Sequence, residues 1–217
     1  MLSGPRNAPL TKPERFAIFD WMKQTKKTTT FKEKQQVVYP LQGVGQVLSI
    51  EQRQFKDKKL LYYVIYLEVT DMTVMVPVDK AEELGIRAIV PKKDAEGALK
   101  LVSDEYEAIP ADWKMRYQMN LDLLKQGSVF DIATVVRTLY HRSKVKELPI
   151  LERKLFDNAL KLLVDEVSFS LKKSKADIEK MVFERLEAEA RRSAKVSAER
   201  AAAAPPVDDL DDEDLED

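Results

Sequence analysis

The sequence predicts an α+β chain, with a small SH3- or Tudor-like β-barrel followed by an all-α helical domain. Three observations carry that expectation. Residues 37–77 hold short β-branched runs separated by turn residues, everything after Pro91 has helical spacing, and the two patterns do not interleave. The chain has 217 residues, 44% hydrophobic and 34% charged, enough for one large core or two modest ones.

The first 34 residues read as a basic extension. Pro13 opens a candidate short helix through Phe16, Phe19 and Trp21, and the Lys- and Thr-rich run from Lys23 reads as a linker, with a boundary near Phe31. Val37-Val38-Tyr39 and Val44 to Ile50 are strand-like runs split by a Pro40-Leu41-Gln42-Gly43 turn. Leu60 to Leu67 is apolar at both alternating positions, as in a strand enclosed within a small barrel. Met72, Val74 and Val76 alternate with Thr73 and Met75, and Asp79 to Leu84 reads as a helical turn ended by Gly85.

Helices follow. Asp94 to Val102 is the first. Asp112 is the expected N-cap of the second, whose Trp113, Tyr117, Leu121 and Leu124 share a face and which Gly127 closes. Ser128 with Asp131 reads as a capping box, Pro149 as a first-turn proline, and Ser174 as a further cap. From Glu187 onward the helix becomes Ala- and charge-rich and is expected to fray before Pro205. The expected divisions are therefore 1–34, 35–90, 91–187 and 188–217.

Composition excludes many chemistries. With no cysteine there is no disulfide framework, thiolate zinc site or thiol nucleophile, and a lone histidine, His141, argues against His-rich metal sites and His-based triads. No carboxylate stands out as an isolated polar residue in an apolar run, so no acid/base pair can be nominated. Gly43-Val44-Gly45 lacks the third glycine, the Lys-Ser/Thr and the helix of a phosphate loop, and reads as a turn before a strand. Neither an enzyme nor a cofactor is expected. No apolar run approaches a membrane span and the N-terminus lacks a signal-peptide core, so the expected setting is cytoplasmic, without a membrane partner.

The net charge of −1 conceals a polarised chain. The last ten residues hold eight acids, which leaves 29 acids against 36 bases, or +7, in the remainder. A basic body with an acidic tail suits a polyanion partner screened by the tail, and it equally suits two solvated termini. The run Arg137, Arg142, Lys144, Lys146, Arg153 and Lys154 is either a solvated face or a phosphate-tracking patch. Trp113 has two readings on pattern alone. It anchors a core with Tyr117 and Leu121, or it is an exposed wedge beside Lys114 and Arg116 at a helix N-terminus.

Several segments together resemble the CarD family of bacterial transcription regulators. They are Val38 to Val47, Ile50-Glu51, Tyr62 to Ile65, Met72 to Glu82, Asp112 to Tyr117, Leu124 to Gly127, Val135 to Tyr140 and Glu152 to Leu155. The resemblance spans about residues 35–185, in order and with matching spacing. The family shares its N-terminal module with the RNA-polymerase-interacting domain of transcription-repair coupling factor. The helical half favours CarD proper.

The resemblance implies a monomeric regulator, reaching the nucleoid through RNA polymerase. It implies that the barrel holds the polymerase β subunit, with Arg53 and Met75 in the contact. It implies that the helical domain meets the promoter-DNA minor groove at the upstream edge of the bubble, largely without sequence preference. Trp113 matches the family wedge that stabilises the open complex, and Lys114, Arg116, Arg137 and Arg142 are the accompanying DNA contacts. Departures are Met75 where some relatives carry arginine, and Met115 and Gln118 where relatives can carry Arg or Lys. The rival reading is a protein–protein adaptor, docked on polymerase by its barrel with Trp113 buried in the helical unit.

Overall fold

A computed structural model describes residues 29–55, 58–105 and 110–203. The helix expected after Pro13 and the acidic tail lie outside the described residues. Five strands form one antiparallel sheet: β1 (Gln36–Tyr39), β2 (Gly43–Phe55), β3 (Lys58–Leu67), β4 (Met72–Pro77) and β5 (Arg87–Ala88). Their order is β4-β3-β2-β1-β5. Sheet closure needs the two edge strands to pair, and β5 is only two residues long and pairs with β1 alone. The described strands therefore make an open sheet and not the closed barrel that the sequence suggested.

Alternation decides which face of the sheet is core. Val37, Val47, Tyr63, Ile65, Leu67 and Val76 point to one face and are buried with Phe31, Ala81 and Ile86. A bulge between Val47 and Ser49 inserts Leu48 as an extra residue, which resets the alternation so that Ile50 returns to the core face opposite Tyr63. Phe31, where the sequence placed a boundary, is itself core: its N–H donates to the Tyr63 hydroxyl at 3.1 Å. Gly45 lies opposite Leu67, and a Cβ there would come within 2.8 Å of the Tyr66 carbonyl oxygen, so the strand needs glycine.

Five helices follow: α1 (Lys92–Leu101), α2 (Trp113–Gln126), α3 (Val129–Val145), α4 (Ile150–Leu171) and α5 (Lys175–Ala203). Asp112 accepts from the Lys114 N–H, Ser128 from the Phe130 N–H and Ser174 from the Asp177 N–H, each satisfying a donor left free at a helix start. Gly127 ends α2 at φ 74, a left-handed position that costs glycine little. Pro149 stands one residue earlier than expected, as the N-cap of α4. No described helix is long and apolar enough to cross a membrane.

The helical core is continuous across α1 to α5, through Leu99, Leu124, Ile132, Leu139, Leu163 and Val182 among others. Of the expected face Trp113, Tyr117, Leu121 and Leu124, Leu124 is buried, Tyr117 and Leu121 pack half-buried against the core and Trp113 is exposed, while Arg116 and Asn120 are buried beside Leu124. Two polar residues thus occupy the stripe that apolar patterning assigned elsewhere. Asp165 and Glu166 likewise lie inside the apolar run from Leu162 to Val167, and both are buried, against the expectation that no carboxylate does so.

Sheet and helices meet at these carboxylates. Val38 and Val44 lie on the face opposite the sheet core, where they line a small crevice with Leu124, Ile132 and Leu162. Beside it, Arg87 of β5 bridges three elements. It forms a two-pronged ion pair with Glu166 of α4 and donates to the Gly127 carbonyl at the end of α2 at 2.6 and 2.9 Å. Glu166 also accepts from the Val90 N–H at 3.2 Å, and Lys175 pairs with Asp165 at 2.8 Å.

Glu166 is 1% exposed, so removal of its cation strands a buried charge. Arg87→Ala should therefore lower unfolding free energy by about 3–5 kcal/mol, whereas replacing both partners by apolar residues of similar volume should cost far less. Urea denaturation of the two variants measures the difference.

Candidate functional site

Consecutive helices α2, α3 and α4 are joined by short connections, so the start of α2, the end of α3 and the start of α4 lie at one end of the bundle. A direct contact fixes this arrangement: Arg116 in the first turn of α2 pairs with Glu152 in the first turn of α4 at 2.7 Å. Trp113 is the first residue of α2 and is 39% exposed. Its angular position falls near the buried stripe, in the helix's first turn. Lys114 beside it is exposed, and Met115 and Met119 are exposed at 63% and 41%.

The structure separates the five residues nominated for DNA. Trp113 and Lys114 stand in solvent, and Arg142 is half-buried near the end of α3. Arg116 is 1% exposed and its guanidinium is occupied within the protein, so a phosphate contact from it is not available in this structure. Arg137 is also directed inward: its Nη1 donates to the carbonyls of Leu101 and Glu105, at 3.4 and 3.1 Å, completing the carbonyl end of α1. Both inward placements have one cause. A guanidinium satisfies several backbone and carboxylate acceptors at once, so arginine is drawn inside where helix ends converge.

The same end carries cations that were left open as a solvated face. Lys144, Lys146, Arg153 and Lys154 are exposed, with Arg153 paired to Glu147 at 2.7 Å and the Lys144 ammonium 4.8 Å from the Tyr140 ring centroid. Val145, Ile150 and Leu151 add exposed apolar surface around the α3–α4 connection. His141 sits inside: burial, aided by Arg137 and opposed by Glu189, pushes its imidazole below the usual range, favouring the neutral form over a cation at the helix end.

A second surface lies on the sheet. Beyond the crevice, the face opposite the sheet core is open and carries Ser49, Glu51, Arg53, Tyr62, Val64 and Met75. Cross-strand pairs Ser49–Val64–Met75 and Arg53–Leu60 place Arg53 and Met75 on this one face. Arg53 is exposed and donates to Glu51 at 2.9 Å, and that contact, with the Ser49 hydroxyl, holds the Glu51 carboxyl below its ordinary range. Met75 on this face, and Leu48 at the bulge, are exposed. Among the described residues, no group of three or more acidic or histidine side chains is placed to hold a metal.

An open-faced sheet is joined through Arg87 and Glu166 to a helical bundle with an exposed tryptophan at its end. Two family models divide the chain along the same lines. Residues 31–90 match the CarD-like/TRCF RID domain, and residues 97–183 match the CarD C-terminal domain. The chain is also similar to YdeB of Bacillus subtilis (strain 168), named as a candidate transcription factor, with 36% identity over 135 residues covering 60% of this chain and 86% of that one. The chain belongs to the CarD-like family of transcription regulators.

Exposure of Trp113 has a thermodynamic signature. Trp113→Ala should cost less than about 1 kcal/mol, as for surface sites, while Leu124→Ala on the same helix should cost about 2–5 kcal/mol. Melting curves of the two variants provide the check, and a Trp113 loss as large as that of Leu124 would place the indole in the core.

Proposed function

We propose that this protein binds RNA polymerase through the open face of its sheet, engaging the β subunit, and holds promoter DNA with the end of its helical bundle. There Trp113 enters the minor groove at the upstream edge of the melted region and stabilises the open complex. The observation that carries the reading is the exposed indole at the start of α2, in a chain whose two halves match the two domains of this family. A planar apolar side chain that fits only an unstacked, widened step favours the distorted duplex, and so shifts the closed–open equilibrium by its differential affinity. Lys114, Arg142, Lys144, Lys146 and Lys154 supply salt-dependent, sequence-independent attraction to phosphates. Arg116 and Arg137 do not take part directly.

One observation favours a second reading. Met115 and Met119 are exposed on α2, the helix that Trp113 opens, where a nucleic-acid surface would carry cations, and exposed apolar side chains there suit a protein partner. In that case the sheet docks on polymerase and the bundle recruits another protein. Salt separates the two readings, because only the DNA contact weakens steeply with ionic strength.

Two experiments test the proposal. Arg53→Glu should weaken capture of the isolated β subunit without altering the melting temperature, because Arg53 is exposed and its partner Glu51 is solvated. Unchanged capture would remove Arg53 from the contact. Trp113→Ala should shorten the lifetime of open complexes challenged with a competitor, by about tenfold if the wedge contributes about 1.4 kcal/mol. Unchanged decay, together with DNA association insensitive to salt, would hand the case to the adaptor reading.

A further inference from the structure

Arg116 lies one helical turn after Trp113, and its buried guanidinium makes four hydrogen bonds in a definite division. Its Nε and Nη2 donate to the two carboxylate oxygens of Glu152, each at 2.7 Å. Its Nη1 donates to the backbone carbonyls of Pro110 at 2.7 Å and Ala111 at 3.2 Å. One planar group therefore ties the first turn of α4 to the backbone that leads into Trp113. Asp112 caps α2 from within the same segment, at 2.8 Å to the Lys114 N–H. Among the described residues, Arg116 is the hydrogen-bonding link between residues 110–113 and another helix.

We propose that Arg116, held by Glu152, is the positioning residue of Trp113. The inference rests on the reading of Trp113 as the wedge. Trp113 keeps 39% of its surface exposed at the helix start, so packing holds the indole only in part and the backbone beneath it sets the rest of its direction. Fixing that backbone before DNA arrives removes an ordering cost from the binding step. Cohesion alone does not require this group, since a well-packed apolar pair serves as well as a buried ion pair. What an apolar pair cannot supply is the grip on the two carbonyls at the root of the indole. Lysine at position 116 could meet Glu152 but lacks the planar fork that reaches both acceptors.

The test uses the full chain carrying Trp21→Phe, which leaves Trp113 as the only tryptophan. The double variant Arg116→Met with Glu152→Leu, and the single variant Arg116→Lys, are compared by melting temperature, by Trp113 fluorescence anisotropy and acrylamide quenching, and by open-complex decay. In folded variants we expect lower anisotropy, faster quenching and loss of most of the lifetime difference between the parent and Trp113→Ala. A folded variant with unchanged anisotropy and unchanged decay would overturn the positioning role. So would loss of folding in both variants, which would make the pair a stability element alone. If Trp113→Ala itself leaves decay unchanged, the wedge reading fails, while anisotropy and quenching still decide whether Arg116 orders the indole.

Discussion

The ion pair between Arg87 and Glu166 is the constraint on which the rest of the molecule depends. Glu166 is desolvated inside α4, and a buried carboxylate is tolerable only with a cation and hydrogen bonds in good geometry. Arg87 can supply them only if β5, the end of α2 and α4 converge, because the same guanidinium also serves the Gly127 carbonyl. The Val90 N–H on Glu166 and the Ser170 hydroxyl on the Val90 carbonyl fix the segment between sheet and helices in the same place. Charge burial here specifies orientation more than it adds stability. The open sheet face and the Trp113 end of the bundle thereby become two ends of one body.

Arginines directed into the protein recur as the organising device, with Arg116 fully buried and Arg87 and Arg137 half-buried. Arg87 joins sheet to helices, Arg116 joins the starts of α2 and α4, and Arg137 closes the end of α1. Each satisfies backbone carbonyls that lie where an element begins or ends, at positions no apolar side chain could serve. At the end of the bundle the exposed cations include Lys144, Lys146 and Lys154, whose flexible stems suit loose attraction to phosphates. Within one bundle, the inward arginines set the geometry, while the lysines, with Arg153, Arg191 and Arg192, face the solvent.

What the sequence made legible follows from this division. Strand positions, the Asp112, Ser128 and Ser174 caps and the Gly127 stop were readable because they depend on local chemistry, and the structure has them. The family resemblance holds across both halves. Nothing local marks Arg116 as buried: it lies between exposed Met115 and half-buried Tyr117, and its partner Glu152 is 36 residues away. Asp165 and Glu166 did carry a signal, two acids within an apolar run, which only their partners Lys175 and Arg87 explain. The open sheet was beyond local reading as well, because closure depends on whether the last strand is long enough to pair, and β5 is not.

The central claim is that sheet and bundle form one rigid body that holds the open sheet face, proposed to meet polymerase, at a fixed distance from Trp113. The chain contains no cysteine, so spin labels can be attached at Gln52→Cys on the sheet and Gln118→Cys on α2, both exposed positions, without other changes. Pulsed dipolar spectroscopy of the free protein should give a single narrow distance distribution that broadens when Arg87 and Glu166 are both made apolar. A broad or two-peaked distribution in the otherwise unaltered chain would contradict the account.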